Sequence, residues 1–243
     1  MKTKYHKAVV RLLKQSESFS TINIREGFSS DNLNSEYHNL FPNFAEKYLV
    51  GYGNYSWKPF LIAAELRKLK EGDILVYLDA GCELSAEGEE RFQFYLSQTA
   101  KNNVTLFELP HPNRFYTKND PKFFENPEHY LRNQIAAGVI FLKKSVKSTN
   151  FVDDWLALCA YEGGRLLVDP SQSETQIPGF VAHRHDQSCL STCAFDHNIK
   201  TLPDETWFEN FQGKEKYPIL TLRSRSGKSK IKRKLKRKKW WLF

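Results

Sequence analysis

The sequence predicts an α/β fold: a mixed central sheet flanked by helices, followed by a basic C-terminal tail. Three observations carry this. Apolar runs of strand length alternate with stretches of helical periodicity, the order that builds an open, helix-covered sheet. One run, Ile74-Leu-Val-Tyr-Leu78, is apolar without alternation, as expected of a strand covered on both faces. Charge is also segregated. Of 36 Lys and Arg, 11 lie in residues 223–243, which hold no acid; this leaves 25 basic against 28 acidic side chains in residues 1–222, a net charge of −3. The formal total of +8 therefore describes a slightly acidic body, expected as one domain over 1–222, and a separate cationic segment.

Each element follows from local pattern. Residues 4–18 form an amphipathic helix, with Ala8, Val9, Leu12 and Leu13 at helical spacing. A short β-prone stretch covers 20–24. The polar and aromatic region 28–55 ends in the turn-forming Gly51-Tyr-Gly-Asn54. Trp57-Lys-Pro59 opens a helix to about Lys70, with Pro59 in a first turn where its missing N–H costs nothing. The strand 74–78 follows, then a helix over 85–101 and a strand over 104–108. Residues 110–130, rich in Pro, Asn and His, form a loop long enough to expect a functional or lid segment. A strand over 136–142 and helices over 149–161 and 187–195 complete the body.

Composition narrows the class. At 40% hydrophobic and 14% aromatic residues the chain can build a core, which excludes wholesale disorder. No apolar run approaches the roughly 20 residues of a membrane-spanning helix. Cys82, Cys159, Cys189 and Cys193 are scattered without a disulfide framework, so a reducing cytoplasm is the expected compartment.

Four clusters could carry chemistry. Asp79 and Gly81 stand directly after the apolar strand, where open α/β sheets bind ligands, and a carboxylate there suits a hard divalent cation. The plainer reading is that Asp79 only makes a turn. His183-Arg-His-Asp-Gln187 gathers a cation, two imidazoles, a carboxylate and an amide ahead of an apolar helix. Such a set suits phosphates or sugar hydroxyls, while Asp186 also fits a helix cap. A zinc site from His183, His185, Cys189 and Cys193 is a minor alternative. Asn133, Ala137 and Gly138 bring small residues to a strand entrance, allowing close approach of a ligand or simply tight packing. Lys58, near a helix start, reaches a phosphate or is solvated. Walker, dinucleotide-binding and nucleophile-elbow motifs are absent from the sequence.

In order, GYGNYSWKPFLIAAELRKLKEGDILVYLDAGCEL, RNQIAAGVIFLKKS and HRHDQSCLS, followed by Pro-Asp-Glu-Thr-Trp at 203–207, resemble bacterial glycosyltransferases of the GT-A fold over roughly residues 5–222. The resemblance implies a hexosyltransferase of polysaccharide biosynthesis that moves a sugar from a nucleotide-diphosphate donor to a glycan or lipid-linked acceptor. It implies that Asp79 holds Mn²⁺ or Mg²⁺ and the diphosphate. Lys58, Gly81, Asn133, Ala137 and Gly138 would surround the donor, Asp186 and Gln187 would serve transfer, and His183, Arg184 and His185 would face acceptor or phosphate. Gly81 stands where the commoner motif has a second aspartate, with Glu83 or a histidine of 183–185 as the substitute ligand. The strand that such folds carry ahead of their first helix is not found before residue 5.

The tail SGKSKIKRKLKRKKWWLF combines cations with terminal Trp240, Trp241 and Phe243. Each basic residue near an anionic bilayer contributes on the order of 1 kcal/mol, and the aromatics add an interfacial anchor. The expectation is peripheral binding at the inner face of the membrane through 223–243, with no specific nucleic-acid partner. The contrasting expectation is a non-enzymatic module that binds glycan, anionic membrane or nucleic acid.

Overall fold

A computed structural model of the protein describes residues 5–207 and 216–230. In chain order it has α1 (His6–Ser16), the short helices α2 (Ser35–Leu40), α3 (Phe44–Lys47) and α4 (Gly51–Asn54), α5 (Trp57–Lys68), β1 (Ile74–Leu78), β2 (Glu83–Leu84), α6 (Glu89–Asn102) and β3 (Val104–Pro112). These are followed by α7 (Asn113–Tyr116), β4 (Asn133–Ile135), β5 (Val139–Lys143), α8 (Val146–Gly164), α9 (Asp186–Asp196), β6 (Thr201–Pro203) and β7 (Ile219–Leu220). The chain packs as two interleaved units. The first comprises Met1–Asn32, Leu78–Ser97 and Glu205–Phe243; the second comprises Leu33–Tyr77 and Gln98–Asp204.

The second unit holds the main sheet, in the order β1-β5-β3-β4 with β6 also on β3. It is mixed as expected: β3 runs antiparallel to β4 and β5 and parallel to β6. Of the strand expected over 136–142, the part from Val139 forms β5, and a separate short strand, β4, lies just ahead of it. From the pair Glu108↔Ile135 to the pair Thr105↔Phe141, β3 advances three residues while its partner advances six. Three residues are therefore looped out around Ala137, leaving peptide groups there for other partners. Phe107, Phe141, Phe151 and Trp155 are fully enclosed beneath the packed helices. Helix α8 starts at Val146, earlier than the periodicity indicates, because Ser145 and Ser148 form a reciprocal capping box.

Several expectations change. β1 is half-buried at all five positions, because it ends the strand order and has a neighbour on one side only. The stretch 20–24 forms no strand: Ile24 is 73% exposed, and β-prone residues without a partner edge have no ladder to join. The 110–130 segment is packed. Phe123 is 0% exposed and Phe124 stacks on Tyr130 at 3.9 Å, so its aromatics anchor the segment expected to be functional or a lid.

In the first unit β2 pairs antiparallel with β7, and Phe19 meets Phe92 edge-on at 4.9 Å. Gly88 lies against the strand entry at Pro218: a Cβ there would stand 2.2 Å from the Pro218 nitrogen. The expected boundary at residue 222 is not a packing boundary. Glu83 is 0% exposed, and its carboxylate accepts from Ser224 Oγ and Ser229 Oγ, both at 2.5 Å, and from the Lys230 N–H at 2.8 Å. The Arg11 guanidinium donates to the carbonyls of Ala80, Cys82, Ser224 and Ser226. Burial lowers the Arg11 pKa and the nearby Glu83 charge opposes that shift. Residues 223–230 thus belong to the folded body; the rest of the tail, 231–243, lies outside the described residues.

Candidate functional site

The second unit brings three of the four sequence clusters to one point. Lys58 sits in the first turn of α5 and is 3% exposed. Its ammonium lies 2.9 Å from Asp186 Oδ2 and donates to the looped-out Ala137 carbonyl at 3.2 Å. Asp186 opens α9, its own carbonyl accepting from Trp155 Nε1 at 3.1 Å. A carboxylate in a helix's first turn also meets the positive end of the helix dipole. Tyr55 and Tyr77 flank the ammonium, with ring centres 5.3 and 5.7 Å from it. In this low-dielectric setting the pair is held by geometry on both sides, as a buried ion pair must be.

The 183–187 run splits into two roles. His183 is enclosed: Nδ1 accepts from the Lys118 N–H at 3.2 Å, and Nε2 faces the Leu166 carbonyl at 2.8 Å, which makes Nε2 the protonated nitrogen. Burial, with help from His185, lowers its pKa to about 3. His183 is thus a neutral brace for the loop, with both ring nitrogens used. His185 directs Nδ1–H to the Leu167 carbonyl at 2.8 Å and adopts φ 48°, ψ −117°. That backbone is costly for a residue with a Cβ, on the order of 1–3 kcal/mol, and marks an over-determined turn. The Arg184 guanidinium rests 5.1 Å above the Tyr116 ring. Gln187 Nε2 donates to Gln134 Oε1 at 2.6 Å, and Gln134 Nε2 donates to the Tyr116 carbonyl and to Thr117 Oγ1. Half-buried Arg184, Gln187 and Gly138 are the reachable members of the set, whereas Asp186 and Lys58 lie beneath.

Three predicted residues remain: Asn133, Asp79 and Gly81. Asn133 is in β4, where its Nδ2 donates to Glu108 Oε1 at 3.1 Å. Asp79 and Gly81 belong to the first unit. The Asp79 carbonyl accepts from the Cys82 N–H at 2.8 Å, so its backbone makes a turn. Gly81 allows passage of the next segment: a Cβ would stand 3.2 Å from the Arg223 Cα, and the Gly81 carbonyl accepts from the Ser224 N–H. Glu83 cannot substitute as a metal ligand, since its carboxylate is bonded to 224–230. Among the described residues no three His, Cys, Asp or Glu stand close enough together to hold a metal ion, so the four-residue zinc set of His183, His185, Cys189 and Cys193 does not assemble. Cys189 and Cys193 are free, buried thiols.

Sequence reasoning missed Lys118, Gln134 and Tyr55. Lys118 Nζ donates to the Arg165 and Val168 carbonyls, and burial lowers its pKa. The chemistry-rich 110–130 loop was the available signal for Lys118, and Gln134 lay inside a motif already singled out. No family model, no curated protein and no solved structure matches the chain. Among the described residues no helix is long and apolar enough to cross a membrane.

Proposed function

We propose that the protein is a glycosyltransferase that moves a sugar from a nucleotide-diphosphate donor to a glycan or lipid-linked acceptor. One observation carries this reading: Lys58, Ala137 and Asp186, from three motifs far apart in sequence, meet within hydrogen-bonding distance beside the last residues of β1. In open α/β sheets that end of a strand is where ligands bind. Lys58 and Asp186 fix the 183–187 turn against the looped-out 136–138 backbone, so the site is shaped before substrate arrives. Arg184 meets the phosphate oxygens as charge gathers on the leaving group. Gln187, oriented by Gln134, hydrogen-bonds a sugar hydroxyl. Small Ala137 and Gly138 let the ring approach the backbone.

A divalent cation held by Asp79 together with the donor diphosphate would stabilise the charge that gathers on the leaving group. Within the basic segment 223–243, the part beyond Lys230 is assigned to an anionic membrane surface on its charge and terminal aromatics, and the reaction is proposed to take place at the inner face. The test is titration and turnover with UDP- and GDP-sugars, with and without Mn²⁺. Donor-dependent transfer lost in Arg184→Ala and Gln187→Ala supports the reading. A folded protein that binds no donor under either condition refutes it.

A further inference from the structure

From the hollow beside Asn133 we infer a binding site for an uncharged saccharide, separate from the Lys58–Asp186 cluster. The hollow has a volume of about 420 Å³ and is lined by Glu108, Asn133, Thr201 and Asp204, with Leu109, Pro110 and Pro203 on its apolar side. It exists because the sheet opens there. Between the pairs Glu108↔Ile135 and Pro112↔Asn133, β3 advances four residues while β4 advances two. Pro110, Pro112 and Pro203 have no N–H to give a ladder, so the strands separate.

The polar groups are pre-set. Glu108 Oε1 accepts from Asn133 Nδ2 at 3.1 Å, and Oε2 accepts from Thr201 Oγ1 at 3.0 Å. Each carboxylate oxygen retains a second lone pair, and a carboxylate already held on both sides loses little freedom on accepting another donor. The Asp204 N–H donates to the Glu108 carbonyl at 2.9 Å, which places a second carboxyl residue at the same rim. Hydroxyl donors meeting a carboxylate make strong, charge-assisted bonds. The proline and leucine faces suit the C–H surface of a sugar ring, in a site of the usual size and mixed lining for a small ligand.

The same carboxylates repel phosphate. Asn133, expected beside the nucleotide-sugar donor, is therefore placed where a diphosphate is disfavoured and a neutral polyol is welcome. This deepens the proposed function, since a glycan acceptor is the substrate class that reading requires. It is tested by binding alone, so the two can fail separately.

The experiment is a glycan array with the full chain, followed by titration of the best neutral oligosaccharide, of UDP and of spermidine. The expected result is binding of neutral saccharides, weakened at least tenfold by Glu108→Gln and by Asn133→Ala, with UDP binding unchanged in both. Thermal melts establish that the variants fold, and Asp204→Asn replaces either one that does not. The inference is overturned if no neutral saccharide binds, if only acidic glycans bind, if saccharide binding survives the substitutions, or if they abolish spermidine or UDP binding in place of saccharide binding. Loss of all donor turnover with saccharide binding intact would count against the transferase and leave this site standing.

Discussion

Lys58 Nζ and Asp186 Oδ2 lie 2.9 Å apart with side chains only 3% and 5% exposed, joining two helix starts 128 positions apart in the sequence. Removing one partner strands the other charge in the interior. Lys58→Met or Asp186→Leu is expected to destabilise the protein by about 3–5 kcal/mol. The double replacement Lys58→Met, Asp186→Leu should cost much less than the sum of the single changes, because neither charge remains. Urea unfolding of the four proteins gives the coupling directly; additive losses would contradict the pair.

His183 gives a pH signature. Its folded pKa is about 3 against an ordinary value of 6.5. At pH above 6.5 both states carry a neutral ring. As pH falls from 6.5 toward 3 the unfolded state takes up the proton and the native state does not, so stability is lost through that window. The loss is expected to reach a few kcal/mol at its acid end, at about 1.4 kcal/mol per pH unit. Comparing denaturant unfolding at pH 7 and pH 4.5 for the protein and His183→Asn isolates the contribution, since the variant lacks the titrating ring.

The Glu83 node predicts where the chain can be cut. Ending it after Leu222 removes Ser224, Ser229 and Lys230 from a fully buried carboxylate. Such a protein should lose about 3 kcal/mol or more, because buried charged acceptors are expensive to leave unmet. Ending it after Lys230 keeps those bonds and should melt close to the full chain. The 1–230 form is therefore the control for liposome flotation of the membrane-binding tail; flotation equal to that of the full chain would defeat the membrane role.

Arg11→Ala acts on the same node from the other side. It removes donors to four carbonyls, and hydrogen exchange at the Ser224 amide should quicken at least tenfold. Unchanged protection would mean the segment is held without the guanidinium.

Two glycines separate close approach from backbone freedom. Gly88→Ala places a Cβ 2.2 Å from the Pro218 backbone, and the expected loss is ~2 kcal/mol or more through a forced shift of β7. At Gly72, φ is +92° with nothing within 4 Å, so Gly72→Ala should cost about 1 kcal/mol from conformation alone. Thermal unfolding of both variants checks the order.

Much of the fold was readable from local pattern. The periodicity of 57–68 and the apolar run of 74–78 produce a helix and a strand within two residues of expectation, because both signals are local. β2, β6 and β7 were not readable. Each has two or three residues, and a strand that short exists only because a partner lies beside it. The candidate residues were legible as types, but not in their company. Gly81 reads as a donor contact and also admits residues 223–224, while Asn133 reads as a donor contact and faces Glu108.

The sequence by itself determined the mixed α/β class, the helix start at Trp57, and the charge asymmetry between body and C-terminus, all of which follow from neighbours within a few positions. Only the tertiary structure decided that Lys58 pairs with Asp186, that Glu83 is consumed by 224–230, and that His183 is a neutral brace. Those outcomes depend on which distant groups share a desolvated space, and there a charge or donor is stabilised only by the partner that folding brings to it.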